Sequence, residues 1–452
     1  MSSANELAAQ ALASARAAGA IGAEVLLTEQ EDAAWSAQSS GRIRSAPDIV
    51  SGASQSASIS LRVYHSGGCG GHATVTGQTA AALGAALPEL VARATTAAAG
   101  AAPDPLAGPP DRMDINTRGL SICDPRRGRL TDEDRRDILR WNWGATRSVS
   151  ARMRPMMFEL EERFQTRVYA STRRINTTEQ STWYRIHGTV GTNARGDERL
   201  STGEVVSRHF SDIASRPLGT ELSRRLEAGD RTTRMPSESL ALVLEPHLVA
   251  TILGLLPPAF DATRLEADTS CLRALYGTRI APSGLHIVDD AAVSGGLASR
   301  CFDARGVPSL PIPLLQDGIP SGVYLSPEQA RRRDSRPTGH VGPDGGLWPG
   351  NILLRPGTRT RNMLFAELNR YLVAIDTITP PTLDIETGRL VLDVWLLLDG
   401  TDRNPGKLGA YRIETTLRDF LASATLVASD QSRYGAVVSC TVITEGLPLQ
   451  EL

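Results

Sequence analysis

The stretch ALVLEPHLVATILGLLPPAF, residues 241–260, reads as a buried strand followed at once by a helix. Residues 241–244 form an apolar run of the kind a strand covered on both faces requires. Pro246 stands where a first helical turn tolerates proline, and Glu245 sets a negative charge at the positive end of the helix. Leu248, Val249, Ile252, Leu253 and Leu256 recur at helical spacing, and Pro257-Pro258 ends the pattern. Taken alone, this is a core helix.

Working outward, residues 285–324 read LHIVDDAAVSGGLASRCFDARGVPSLPIPLLQDGIPSGVY. PTGH follows at 337–340, a PGN turn at 349–351 and RPGT at 355–358. In order and spacing these pieces resemble the TldD/PmbA (TldE) family of zinc metallopeptidase subunits. The pieces that carry the likeness are Asp289-Asp290, GLAS (296–299), FDARGVP (302–308), LLQDGIPSGVY (314–324) and the three turns after them. Weaker similarity runs through the first half. The resemblance implies an α+β, two-domain subunit: an N-terminal α/β domain over 1–230 and a β-rich, metallopeptidase-like domain over 240–452.

In the catalytic branch of that family the helix after the apolar strand carries HExxxH, two histidines on zinc and a glutamate that activates water. The corresponding positions here are Gly254, Leu255, Leu256, Pro257, Pro258 and Ala259, with no imidazole, carboxylate or thiolate among them. The family's third ligand is a cysteine in a late CGKxGQ-like segment. This chain reads SDQSRYGAVVSC there, and Cys440 falls beyond the expected place, in what reads as a strand over 436–442. The resemblance therefore implies a degenerate zinc motif. Thr338-Gly339-His340 points the same way, since TGH resembles the non-catalytic TldE/PmbA branch and TGN the zinc-bearing one.

Composition narrows the class. A formal net charge of -2 over 452 residues gives no electrostatic reason for nucleic acid or an anionic membrane. No apolar run is long enough to span a bilayer, and the first twenty residues lack the basic start of a secretion signal. The five cysteines are scattered and odd in number, so neither a disulfide framework nor a CxxC knuckle is suggested. A cytoplasmic protein is expected.

Along the chain, a helix is expected over 3–19, strands over 23–29 and 57–64, and a helix over 79–98. A surface turn follows over 99–110, then a helix opened by Thr131. Paired strands over 164–170 and 182–191 and a helix over 216–228 lead to a domain boundary within 229–239. The second half reads as a short helix over 327–333 and strands over 352–354, 372–376, 382–385, 389–399 and 411–416, with turn signals at 386–388 and 399–405.

Three other groups could carry chemistry. His65, Cys69 and His72 in HSGGCGGH are the compact set of metal-ligand types, and imidazole with thiolate suits zinc or copper. The competing reading, which is preferred, is a glycine-rich hairpin that needs positive φ. Asp289, Asp290 and Asp303 are read as turn-tying carboxylates. His247 beside Glu245 is too small a set for a metal. Relatives read FDxEG where this chain has Arg305. Asp303, Arg305, Gly306, Thr338, Gly339 and His340 are therefore the candidate chamber or interface residues.

The expectation is a non-catalytic TldE-like subunit with no cofactor of its own. The resemblance implies a TldD-like HExxxH partner holding the zinc, in a heterodimer that admits unfolded peptides or trims leader peptides of ribosomally made natural products. The alternatives are a peptide-binding homodimer and an enzyme with a relocated metal.

Overall fold

The computed structural model describes residues 3–38, 47–115, 119–194, 197–227, 234–368, 370–400 and 406–452. The expected turn over 399–405 and boundary over 229–239 lie partly outside these residues. The chain forms two compact units. The first comprises Met1–Leu226 together with Ala291–Leu310 and Leu325–Trp348, and the second Glu227–Asp290, Pro311–Tyr324 and Pro349–Leu452. The long first segment ends at Leu226, and two later excursions belong with the first unit. A single linker cannot reveal such returns, because the loops that make them sit between strands of the second unit.

In the first unit the elements run α1 (Ser3–Ala17), β1 (Gly22–Gln38), β2 (Asp48–Tyr64), β3 (Gly70–Gly77), α2 (Ala80–Ala85) and α3 (Leu87–Ala99). Then come α4 (Asp132–Val149), β4 (Met153–Ser171), β5 (Asn176–Ala194), β6 (Asp197–Ser207), α5 (Phe210–Ala214) and α6 (Leu218–Glu227). The strands form one antiparallel six-stranded sheet in the order β3-β2-β1-β4-β5-β6. Side chains alternate faces along a strand. One face of β1 thus carries Val25 and Leu27 into the core under α1 to α3, and Trp35 and Ala37 into the core under α4 to α6. On the opposite face, Leu26 and Tyr169 pack with Cys301, Phe302 and Ala304 from the first excursion.

Several elements exceed what their sequence patterns predict. β1, β2, β4 and β5 have 17 to 19 residues each. The middle of β2, SGASQS, is exposed, and the middles of β1 and β4 are half-buried and rich in charged and polar residues, as in QED and EERFQTR, so no clean alternation marks these stretches as strands. β6, DERLSTGEVVS, has too few apolar residues to signal a strand. The single helix expected over 79–98 is two, broken at Ala86 before Pro88. Thr131 does cap α4: its hydroxyl accepts from the Asp134 amide while the Asp134 carboxylate accepts from the Thr131 amide.

The second unit holds β7 (Leu242–Leu244), α7 (Pro246–Leu253), α8 (Ala262–Glu266), β8 (Ile287–Asp290), β9 (Ile312–Gln316) and β10 (Ile319–Pro320). Helix α9 (Pro327–Arg332) lies in the second excursion. β11 (Asn351–Leu354), α10 (Arg361–Phe365), β12 (Arg370–Thr377), β13 (Thr382–Leu383), β14 (Arg389–Gly400) and β15 (Gly406–Thr416) follow. α11 (Leu417–Ser423), β16 (Ala424–Val427), β17 (Ser432–Tyr434), β18 (Val437–Ser439), β19 (Val442–Thr444) and β20 (Gln450–Glu451) complete the chain. One sheet has the order β10-β9-β8-β11-β18-β17. The other runs β16-β19-β7-β12-β14-β15-β20, with β13 on β14. β7 is interior, parallel to β12 and antiparallel to β19, which is why its residues are all buried and apolar.

The strand expected over 436–442 is two strands in two sheets. β18 pairs with β11 and β19 with β7, and the chain changes sheets at Cys440-Thr441. Asp430 holds that crossing by accepting from the Thr441 amide at 2.9 Å and hydroxyl at 2.6 Å.

Candidate functional site

The helix after the central strand ends earlier than its apolar periodicity suggests. α7 stops at Leu253 and Gly254 is its C-cap. The carbonyls of Leu253 and Gly254 would need amide donors from residues 257 and 258, and both are prolines. The chain therefore leaves the α-helix and turns into a short 3-10 segment, Pro257–Phe260. Of the positions corresponding to HExxxH, Gly254 is the cap, Leu255 is in a turn, Leu256 is the N-cap of the 3-10 segment, and Pro257, Pro258 and Ala259 lie within it. They share no α-helical face, and Leu256 and Ala259 are fully buried. At the other end of α7, Glu245 does not cap with its side chain. It forms a two-pronged ion pair with Arg361, one contact at 2.7 Å.

Cys440, the late cysteine, is buried, and burial pushes its thiol up to about 12, with Asp430 adding to the effect. A thiolate ligand is disfavoured there. His247 stands on α7 with its ring 6.1 Å from that of Tyr434.

The aspartates are turn-holders. Asp289 is fully buried and accepts from the Tyr324 hydroxyl at 2.5 Å and the Gly350 amide at 2.9 Å. The Asp290 carbonyl accepts from the Asn351 side chain at 2.7 Å, fixing the PGN turn beside β11. In the other unit Asp303 accepts from the amides of Arg305 at 2.8 Å, Val307 at 3.0 Å and Val341 at 3.0 Å. Complete burial raises its pKa, although those amides and Arg300 act the other way.

Asp303 ties the FDARG turn to the TGH loop. Gly306 takes φ +68, and a Cβ there would lie 2.2 Å from the Tyr169 ring, so glycine is required. Gly339 takes φ +75 against the Pro308 carbonyl, and its own carbonyl accepts from the Ser309 hydroxyl at 2.6 Å. Thr338 exchanges hydrogen bonds with Leu325, and the His340 carbonyl accepts from the Trp348 amide at 2.8 Å. Asp303, Arg305, Thr338 and His340 are each 8 % exposed or less. What these residues do within this chain is hold the two excursions as one block; a surface role would act through the loops they shape.

Arg305, where the resemblance led to the expectation of a glutamate, is the hub of a buried ionic cluster. Its guanidinium binds Glu24 in bidentate fashion, with Nε 2.9 Å from Oε2 and Nη2 2.8 Å from Oε1. It also reaches Glu328 at 3.0 Å and the Tyr64 hydroxyl at 2.8 Å. The Tyr169 hydroxyl donates to Glu24 at 3.0 Å. Burial lifts the Tyr64 and Tyr169 phenols well above their ordinary value, and the Glu24 charge lifts them further, so both remain donors. A second buried group lies nearby in the same unit: Arg167 and Arg300 cover the Trp348 ring at 4.7 and 4.4 Å, and Arg167 pairs with Glu179 at 3.1 Å. Sequence reasoning missed Glu24, Tyr64, Tyr169, Glu179 and Glu328. Glu24 and Tyr64 meet Arg305 across 281 and 241 positions, and Tyr169 meets Glu24 across 145. Even Glu179 and Glu328, 12 and 23 positions from Arg167 and Arg305, follow no local spacing rule.

HSGGCGGH forms the β2–β3 hairpin. The His65 amide donates to the Cys69 carbonyl at 2.9 Å, Gly67 and Gly68 take positive φ, and His72 sits opposite Arg62 on β3. Among the described residues no group of three or more His, Cys, Asp or Glu side chains is placed to hold a metal ion. Among them, too, no helix is long and apolar enough to cross a membrane.

Residues 237–450 match the family model described as the PmbA/TldA metallopeptidase C-terminal domain. Together with the motifs, this likens the second half of the chain to the C-terminal domain of the PmbA/TldD metallopeptidases. The chain is 26% identical over 170 residues to a metalloprotease of Methanothermobacter thermautotrophicus, a match covering 36% of each chain. The chain spans about a third of the length of the curated relatives it matches. Among solved structures it resembles TldE from Thermococcus kodakarensis, with a TM-score of 0.82 and 14% identity over 98% of this chain and 99% of that one. It also resembles a protein of Thermotoga maritima described as a candidate modulator of a DNA gyrase, with a TM-score of 0.83 and 16% identity over 98% and 99%. At such identities the likeness is one of fold.

Proposed function

We propose that this chain is the non-catalytic, TldE-like subunit of a heterodimeric zinc metallopeptidase. The observation that carries the reading is the segment 254–259, where the zinc helix of the catalytic branch is replaced by a glycine cap, a turn and a proline-rich 3-10 segment. The buried, protonated Cys440 supports it, as does the TGH triplet. Zinc and hydrolysis then belong to a TldD-like partner bearing HExxxH. The substrate is an unfolded peptide or the leader of a ribosomally made natural product, and the pair works in the cytoplasm. This chain shapes the partner's chamber and stabilises it; an extended peptide can add as a strand to a sheet edge, with backbone bonds giving affinity without strong sequence demand.

The test is metal content and peptidase activity of the chain alone and after mixing with an HExxxH relative from the same genome. The expected result is an inactive chain alone and a co-eluting pair with about one zinc that cuts unfolded peptide. Stoichiometric zinc and cleavage by the chain alone would overturn the proposal. Tight peptide binding by a homodimer, with no gain on adding the relative, would replace it with the peptide-binding alternative.

A further inference from the structure

A groove of about 430 Å³ opens on the helix-bearing face of the six-stranded sheet, lined by β1, β2, β4, β5, Arg127 and Arg135. It lies along β1 between Leu27, in one core, and Trp35, in the other. Its volume suits a small molecule.

The lining charges balance. Glu31, Asp32 and Glu162 stand against Arg127, Arg135 and Arg163, as the pairs Arg127–Glu31, Arg135–Glu162 at 2.7 Å and Arg163–Asp32 at 2.8 Å. The pairs differ in availability. Arg135 grips Glu162 with Nε and Nη2 and gives Nη1 to the carbonyls of Leu130 and Thr131, and both side chains are largely buried. The Arg127 and Glu31 side chains are 37% and 50% exposed, and the Arg127 guanidinium rests on the Phe164 ring at 3.8 Å. An exposed pair of this kind is weak and opens readily.

What can replace both partners at once follows from charge complementarity. A simple anion on Arg127 would strand Glu31, and a simple cation on Glu31 would strand Arg127. A molecule bearing both charges replaces each partner with a new one. Tyr184 adds a further donor in the wall: it is 1% exposed, and its hydroxyl has no hydrogen-bond partner among the described residues. Burial raises its phenol, with Glu162 adding to the effect, so the proton stays on. A buried donor without an acceptor is a destabilised group that a carboxylate would satisfy.

We propose that this groove binds a zwitterionic amino acid or short peptide, its carboxylate on Arg127 with the Tyr184 hydroxyl as a further donor, and its ammonium on Glu31. The ligand side chain would lie along Ala33, Ala53 and Phe164. The site is independent of the subunit reading, since it lies within the first unit.

Calorimetric titration of the full chain with glycine, leucine and leucylleucine tests this, with N-acetylleucine, leucinamide and acetate as controls. Saturable binding of the zwitterions is expected, weakened about tenfold or more by blocking either terminus. Arg127→Ala and Glu31→Gln should each cost a similar factor, and Tyr184→Phe a smaller one, with circular dichroism and melting curves preserved. Absence of saturable binding by any zwitterion would overturn the proposal. So would equal binding of the blocked compounds, or unchanged binding by folded Arg127→Ala.

Discussion

Arg305 and Glu24 stand 281 positions apart in the chain and meet as a buried bidentate pair, Nη2 to Oε1 at 2.8 Å. Their side chains are 5% and 3% exposed. With Glu328 nearby, the guanidinium faces two carboxylates and the hydroxyl of Tyr64, and Tyr169 completes the shell of Glu24. A glutamate in place of Arg305 would meet two like charges in a dry site.

Arg305→Glu should therefore be the most disruptive single change in this cluster, and Arg305→Met should also destabilise strongly. Removing one partner of a buried pair leaves an uncompensated charge, at a cost of about 3–5 kcal/mol. Chemical denaturation monitored by circular dichroism reads this directly. Wild-type stability in Arg305→Glu would show that the pair contributes nothing.

Acid should loosen the same cluster. Burial favours the protonated form of Glu328, but the charge and hydrogen bonds of Arg305 outweigh it and hold the carboxyl below its ordinary range. A depressed folded pKa contributes stability that is present above the unfolded value of about 4.5 and lost as pH falls through the folded value. Denaturation midpoints should drop below pH ~4.5 in the wild type, and the drop should shrink in Glu328→Gln. His72 adds a second slope. Burial, then Arg62 and Arg305, lowers it from 6.5 to about 4. The unfolded chain takes up that proton first, so stability should rise with pH between those values, and His72→Phe should flatten the rise. An identical pH profile in both variants would refute these assignments.

Much of the frame was legible in the sequence. The strand–helix signal at 241–260, the Thr131 cap and the glycine hairpin after Tyr64 rest on local rules, and the structure has each of them. Strand lengths were not legible, because the half-buried polar middle of β1 and the exposed middle of β2 carry no alternation. The domain plan was hidden by the two returns of the chain at Ala291–Leu310 and Leu325–Trp348. Gly306 and Arg305 stood out as pattern positions, but their reasons, the Tyr169 ring and Glu24, sit in a sheet built far upstream.

Gly306→Ala tests that packing argument. The backbone is left-handed, and the new methyl would enter the ring of a fully buried tyrosine. Strain of this type costs about 1–3 kcal/mol before the steric clash is added. The variant should melt well below the wild type, whereas Gly284→Ala, also at positive φ but with open space around it, should lose less. Equal losses would mean that the Tyr169 contact is unimportant.

The missing zinc motif gives the last test. Installing Gly254→His, Leu255→Glu and Ala259→His together restores the letters of HExxxH but not a helix to carry them. The first histidine would sit at a helix cap, and the second would replace a fully buried alanine after two prolines. Two ligands on different local geometries do not converge on a tetrahedral ion, and a larger side chain at residue 259 overpacks the core. The triple variant should therefore bind no stoichiometric zinc, cleave no peptide and melt lower than the wild type. Adding Pro257→Ala and Pro258→Ala should return amide donors to the carbonyls of Leu253 and Gly254 and raise helicity by circular dichroism. Zinc bound at about one equivalent by the triple variant alone would show that the prolines are no obstacle, and that the site was lost through its ligands only.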